Sequence, residues 1–249
     1  MRLFLLPDTY TGESSLVLKG DDYHYLVRVL RYKKGYEFSG RDLKGIFFDL
    51  KITDITENSC IIDVIESSTE YIKLPEIVLY QCVCKGKKMD QIIRQATETG
   101  VSKIIPIVSD FSVSRIDTEK SAKMERWNKI IREAIQQSGS RVNTIIGNPV
   151  TIDELSEIED TIGDIGLFFH QEALDLGSLH GYLSSDYNVI FLVIGPEGGL
   201  SDRETGILLE KKFKSVYLKT NVLRAETAAL YGISSVQTIL LESENWVLK

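Results

Sequence analysis

Val189-Ile190-Phe191-Leu192-Val193-Ile194, followed without a break by Gly195-Pro196-Glu197-Gly198-Gly199-Leu200, decides how this chain is built. Six strand formers in a row read as a buried strand of the kind a parallel sheet contains. The glycine- and proline-bearing loop ends that strand. Ser201-Asp202-Arg203-Glu204 then carries a capping-box pattern that restarts the chain as a helix. A strand, a glycine loop and a helix leave backbone N–H groups, unshielded by Cβ, where a ligand can approach closely. Downstream, Val222-Leu223-Arg224-Ala225-Glu226-Thr227-Ala228 sets an Arg and a Glu at the mouth of another helix, again after an apolar strand. Two such loops from one sheet are expected to converge on one pocket.

Working outward, the same grain runs from residue 76 to the end. Strand-like runs at Ile77–Cys84, Ile104–Val108, Ile165–Phe169, Val189–Ile194 and Ser215–Leu218 alternate with helical patterns. Met89, Ile92, Ile93 and Ala96 have helical spacing, stopped by Gly100, and Trp127, Ile130, Ile131, Ala134 and Ile135 repeat it. Thr227, Leu230, Ile233, Ser234 and Gln237 fit a last helix. This alternation predicts an α/β domain with a mostly parallel sheet covered on both faces. Residues 1–70 read differently, as short strands separated by turns at Lys19-Gly20-Asp21-Asp22 and Ser39-Gly40-Arg41-Asp42. That density of turns predicts a small β-barrel or sandwich, with Asp22–Leu30 its one helix. Ser67 to Pro75 is the expected linker, dividing the chain into domains 1–70 and 71–249.

Composition narrows the function classes. With 249 residues and 43% hydrophobic content the chain can bury a large core, yet it has no apolar run of eighteen residues to cross a membrane. The N-terminal apolar stretch is too short for a signal peptide, so a cytoplasmic, reduced setting is expected. Cys60, Cys82 and Cys84 read as buried packing residues, and His24, His170 and His180 form no metal spacing, so no metal site is expected. A net charge of −7 argues against nonspecific coating of nucleic acid, but two local basic stretches stand out: Arg28-Val29-Leu30-Arg31-Tyr32-Lys33-Lys34 and Lys85-Gly86-Lys87-Lys88. G-x-G-x-x-G, the P-loop and the G-x-S-x-G elbow are all missing. An uncharged or zwitterionic ligand held mainly by backbone remains.

Gly195–Ser201 with Glu204, and Leu223–Ala228, resemble the signature pair of the RsmE family of SPOUT RNA methyltransferases. Further resemblances follow in order along essentially the whole chain. They are His24 with Arg28–Arg31 and Gly35, Lys85–Asp90 with Ala96-Thr97-Glu98 and Gly100-Val101, Gln137-Ser138-Gly139, and Phe169-His170 through Glu172-Ala173. The resemblance implies a PUA-like N-terminal barrel that binds RNA and a C-terminal domain whose backbone forms a trefoil knot. It also implies S-adenosylmethionine as cofactor, a homodimer, and methylation of N3 of a uridine in 16S ribosomal RNA within the small subunit.

Site roles follow from that likeness and from the residues themselves. Arg224 is expected to hold a phosphate or the uracil oxygens, and Glu226 to accept the N3 proton or else only to favour the helix dipole. The cofactor is expected against His170, Gly195, Glu197, Gly198, Gly199, Leu218, Val222 and Leu223, with Glu197 bracing the loop through backbone N–H groups. RNA is expected at Arg28, Arg31, Lys33, Lys87 and Arg115. Two departures from the family pattern bear on this. Lys219 stands where glycine commonly follows Leu218, and Phe111 stands where an arginine is usual. A methyltransferase of altered RNA target, and an RNA-binding protein with a decayed knot, are the alternative readings.

Overall fold

A computed structural model describes residues 3–67, 74–112, 122–159 and 163–245. The chain falls into two compact units, Met1–Ile72 with Ile135–Asn143, and Lys73–Ala134 with Thr144–Lys249.

The smaller unit holds β1 (Phe4–Leu5), β2 (Ser15–Lys19), α1 (Gly20–Tyr23), β3 (Glu37–Arg41), β4 (Phe47–Ile55) and β5 (Ser59–Glu66). Its sheet runs β1-β3-β4-β5-β2, antiparallel except where β1 lies parallel to β3. Alternation decides which face is inside: Phe48, Leu50 and Ile52 of β4, and Cys60, Ile62 and Val64 of β5, enter one core with Phe4, Leu18 and Leu26. A register shift between Ile52 and Asp54 lets β4 bend around that core. The helix expected over Asp22–Leu30 is present, but only α1 is α-helical; His24–Val29 continues it as a π-helical turn. It ends at Arg31, whose φ of 57° reverses the chain.

Ile135–Asn143 joins this unit because Arg41 is fully buried and reaches it. The guanidinium donates to the Asp42 carbonyl at 2.9 Å and the Val142 carbonyl at 3.1 Å. Burial pushes its pKa down to about 10. Arg141 stacks over Phe47 from the same segment, 4.8 Å from the ring centre. Nothing in the pattern of residues 1–70 announces this second segment.

The larger unit holds β6 (Glu76–Cys82), α2 (Lys88–Glu98), β7 (Lys103–Ile107), α3 (Ala122–Ser138, whose last turn groups with the smaller unit), β8 (Ile145–Ile146) and β9 (Asp164–Phe169). Then follow α4 (Leu179–Tyr182), β10 (Val189–Ile194), α5 (Asp202–Glu210), β11 (Lys214–Val216) and α6 (Ala225–Asn245). The sheet is parallel throughout, in the order β11-β9-β10-β6-β7-β8. The Val189–Ile194 run is thus an interior strand, with Ile190 and Leu192 to Ile194 buried. Met89, Ile92, Ile93 and Ala96 are the buried stripe of α2, and Gly100 at φ 82° ends it. The capping box at Ser201 is complete, each partner bonding the other's backbone N–H.

Two strands stop earlier than their apolar runs suggested. β6 ends at Cys82, although Val83 and Cys84 stay buried, and β11 ends at Val216, before Leu218. Both runs leave the sheet where the chain turns over its carboxyl edge; burial outlasts strand pairing after β6, whereas after β11 Tyr217 is exposed and Leu218 half-buried. The two-residue β8 is too short to leave a periodic signal.

Candidate active site at the carboxyl edge of the parallel sheet

In open parallel α/β sheets, ligands bind beyond the carboxyl ends of the strands. Here β10, β9 and β11 are neighbours, and the chain leaving each of them lines one cavity of about 180 Å³. β9 delivers Phe169 and His170, β10 delivers Gly195, Pro196, Glu197 and Gly199, and β11 delivers Leu218, Val222 and Leu223. Ala225, Ala228 and Tyr231 of α6 form the remaining wall. Close approach of α6 rests on Gly232, where a Cβ would come within 3.0 Å of the Phe169 ring.

The glycine loop is shaped by its lack of side chains. A Cβ on Gly195 would sit 3.3 Å from the Gly199 backbone, and Gly199 itself holds φ 75°. Glu197 braces the loop, as its position suggested, but it reaches across to the chain after β6. Its Oε1 accepts from the Lys88 ammonium at 2.8 Å and the Lys85 N–H at 3.3 Å. Burial pushes the Glu197 carboxyl up, but the Lys88 ammonium and backbone N–H groups outweigh it and hold the carboxyl below its ordinary range. The same pairing raises the Lys88 ammonium.

The chain after β11 solves the problem posed by Lys219. That residue adopts φ 46°, the left-handed conformation in which glycine is at home. Its backbone therefore keeps a glycine-like turn, and Leu218 still lines the cavity. Val222 is 88% exposed, an apolar side chain left open on the wall of a cleft.

Arg224 and Glu226 flank this cavity without lining it in the way Ala225 does. The Arg224 carbonyl accepts the Ala228 N–H at 2.8 Å, so Arg224 is the N-cap residue of α6. Its side chain is exposed and makes no ion pair among the described residues. A cation is disfavoured at the positive end of a helix, and arginine is a poor N-cap. Stability does not account for Arg224. Glu226 lies in the first turn of α6, and its Oε2 is buried without a hydrogen-bond partner. A buried acceptor of that kind costs free energy unless something later satisfies it.

Other expected site residues fall elsewhere. Gly198 faces away from the cavity, toward Phe111. His170 lines the cavity with its ring tied to its own loop, Nδ1 accepting the Glu172 N–H at 3.2 Å. Arg28, Arg31 and Lys33 are exposed on the smaller unit, Arg28 lying over the Tyr23 ring at 5.8 Å. Lys87 is exposed after β6, and Arg115 lies outside the described residues. Tyr217, Thr220 and Asn221 also line the cavity and went unforeseen. The signal for them was the polar stretch between the last strand and the last helix. Among the described residues no cluster of His, Cys, Asp or Glu could hold a metal ion, and no helix is long and apolar enough to cross a membrane.

Comparison with known proteins gives this edge a context. An RNA methyltransferase domain model matches residues 72–237, and a PUA domain model from RNA methyltransferases matches residues 18–65. The chain belongs to this RNA methyltransferase family. Among its relatives, ribosomal RNA small subunit methyltransferase E of Aquifex aeolicus is 35% identical over 90% of this chain and 93% of its own length. A second, from Borreliella burgdorferi, is 31% identical over 92% of this chain and 93% of its own. The small subunit methyltransferase E of Neisseria gonorrhoeae, solved with S-adenosylmethionine, superposes with a TM-score of 0.82 at 25% identity, covering 96% of this chain and 98% of that one. A Legionella pneumophila methyltransferase, also solved with S-adenosylmethionine, gives 0.79 at 26% identity over 95% and 96%. Likeness over the full length places this chain with the small subunit methyltransferase E branch.

Proposed function

We propose that this protein transfers a methyl group from S-adenosylmethionine to N3 of a uridine in 16S ribosomal RNA. The observation that carries the proposal is the cavity at the carboxyl edge of β10, β9 and β11, flanked by an exposed Arg224 and by Glu226, whose buried Oε2 has no hydrogen-bond partner. It stands in a chain related end to end to small subunit methyltransferase E proteins.

The cavity fits the cofactor. Ile194, Leu218, Val222 and Leu223 offer an apolar wall for a flat heterocycle, and Gly195 and Gly199 leave backbone at the cavity that no Cβ shields. The bound sulfonium supplies an electrophilic methyl group. The protein must then remove the N3 proton and stabilise charge on the uracil oxygens. Glu226, whose Oε2 lacks a donor, is placed to accept that proton. Arg224, exposed and without an ion pair among the described residues, supplies the donor fork for the uracil oxygens in this reading. Glu197 acts on shape, tying the glycine loop to Lys85 and Lys88.

The exposed Arg28, Arg31 and Lys33 of the smaller unit serve RNA binding in this reading, and Lys87 and Arg115 serve it in the larger one. A knotted backbone, a homodimer, assembly with the small ribosomal subunit and a cytoplasmic setting belong to the same proposal. Nucleoside mass spectrometry of small-subunit RNA from cells with and without the protein tests it. N3-methyluridine is expected to disappear without the protein; unchanged N3-methyluridine rejects the target.

A further inference from the structure

Phe111 is 51% exposed, yet the turn that carries it is tied down by its neighbours. The Asp110 N–H donates to Oε1 of the buried Glu204 at 2.9 Å. The Asp110 carboxylate accepts from Ser201 Oγ at 2.6 Å and from Arg203 at 2.8 and 3.1 Å. Ser112 closes the turn onto Ser109. The turn is therefore held by polar bonds of its neighbours, without the Phe111 ring.

Its neighbours indicate what the ring is for. Phe111 lies against Gly198, where a Cβ would approach the Phe111 Cβ to 3.2 Å. The adjacent residue, Glu197, is gripped from the other direction by Lys85 and Lys88. An aromatic face and a basic stretch therefore flank the same loop, on the carboxyl ends of the neighbouring strands β7 and β6. Lys85 and Lys87 are exposed, and neither forms an ion pair among the described residues. Of the nearby anions, Asp110 is paired with Arg203, which also binds Asp153, and Glu197 is paired with Lys88. Exposed lysines and an exposed aromatic residue flanking one loop make a surface for single-stranded nucleic acid, with cations for phosphates and a π-face for a base.

We propose that Phe111 is the stacking platform for an unpaired base flanking the target nucleotide, with Lys85 and Lys87 holding the phosphates alongside it. This rests on the reading of the protein as an RNA methyltransferase and adds how the RNA strand is gripped on the side of the glycine loop turned away from the cavity. A base stacked on a fixed ring needs no hydrogen-bond readout, so the platform sets position more than sequence.

The test compares Phe111→Leu, which keeps apolar contact with Gly198 but has no ring, with Phe111→Trp. Small ribosomal subunits from cells lacking the protein are the substrate. Phe111→Leu should raise KM for the subunit about 5- to 100-fold, the range typical of losing one stacked base. Phe111→Trp should stay within about threefold of the parent. Calorimetric affinity for S-adenosylmethionine and the oligomeric state by light scattering should be unchanged in both variants. A Phe111→Leu enzyme with parental KM overturns the platform. So does one whose cofactor affinity falls in step, since that makes Phe111 a support for Gly198, and so does one whose oligomeric state changes, since that makes it an interface between copies. If the parent protein fails to methylate the subunits while Phe111→Leu still weakens its binding to a short uridine-containing RNA, the methyltransferase reading fails and the platform stands.

Discussion

Replacing Lys219 by glycine should stabilise the protein. Lys219 holds φ 46° and is exposed, so its side chain contributes little packing that the change would remove. An L-residue in the left-handed region costs roughly 1–2 kcal/mol through the clash of Cβ with the neighbouring carbonyl. Glycine relieves that clash but gives the unfolded chain more freedom, returning about 0.4–1 kcal/mol. The difference is a net gain of about 0.5–1 kcal/mol. For a chain of this size it corresponds to a rise in Tm of about 1–4 °C. Differential scanning calorimetry of parent and variant reads it directly, and the urea midpoint should move the same way at constant m. Because the turn is already glycine-like, affinity for S-adenosylmethionine should stay within a few-fold. A lower Tm would refute the reasoning, showing that the lysine side chain holds the Leu218–Leu223 segment through contacts stronger than the backbone strain.

Four further outcomes are expected. Arg224→Asn should abolish methyl transfer while leaving cofactor affinity within a few-fold and stabilising α6 by about 0.5–1 kcal/mol, because asparagine is a far better N-cap than arginine; retained turnover would reject the role given to Arg224. Glu204→Gln should cost about 1–3 kcal/mol in urea unfolding, since one carbonyl cannot accept both the Asp110 and Ser201 N–H groups and a buried donor is left unpaired. Glu197→Gln should weaken cofactor binding several-fold relative to the parent between pH 5 and 8. Its carboxyl is held below its ordinary value of 4.5, so the brace is complete above that value and is lost only as pH falls through the lowered folded value. Titrations between pH 6.5 and 5 should thus give the same Kd for the parent, and a marked change in that window would assign the brace to another group. Native protein should resist thiol reagents at pH 8, because burial pushes Cys60 up to about 11 and Cys84 up to about 12 and raises Cys82 as well; fast labelling before unfolding would contradict the buried placement.

What was legible in the sequence depended on whether the determining force was local. The Val189–Ile194 strand, the Ser201 cap and the stripe of α2 each have their cause within a few residues, and each emerged where the pattern put it. The Ile135–Asn143 segment of the smaller unit did not, because it is held by Arg41, a hundred residues away in sequence. Strand ends at Cys82 and Val216 were misplaced for a related reason: apolar residues continue past the last ladder bond to line or back the cavity, and hydropathy cannot tell these uses apart. Of the three glycines in one loop, Gly195 and Gly199 line the cavity and Gly198 lies against Phe111. Composition alone cannot say toward which side a loop residue points.

Lys219 and Phe111 carry this argument one step further, since each departs from the family pattern and the structure treats them in opposite ways. At position 219 the requirement is on the backbone, and lysine meets it by accepting a strained φ; the shape survives the change of residue. At position 111 the backbone is fixed by Asp110, Ser112 and Glu204 whatever the side chain is, so an arginine and a phenylalanine can be held on the same turn. What changes there is chemistry at an exposed point, from a charged fork to a neutral ring beside Lys85 and Lys87. A substitution that leaves the scaffold untouched and alters only an exposed surface is the kind that tunes recognition. That gives Phe111, and not Lys219, the stronger claim to set how this enzyme meets its RNA.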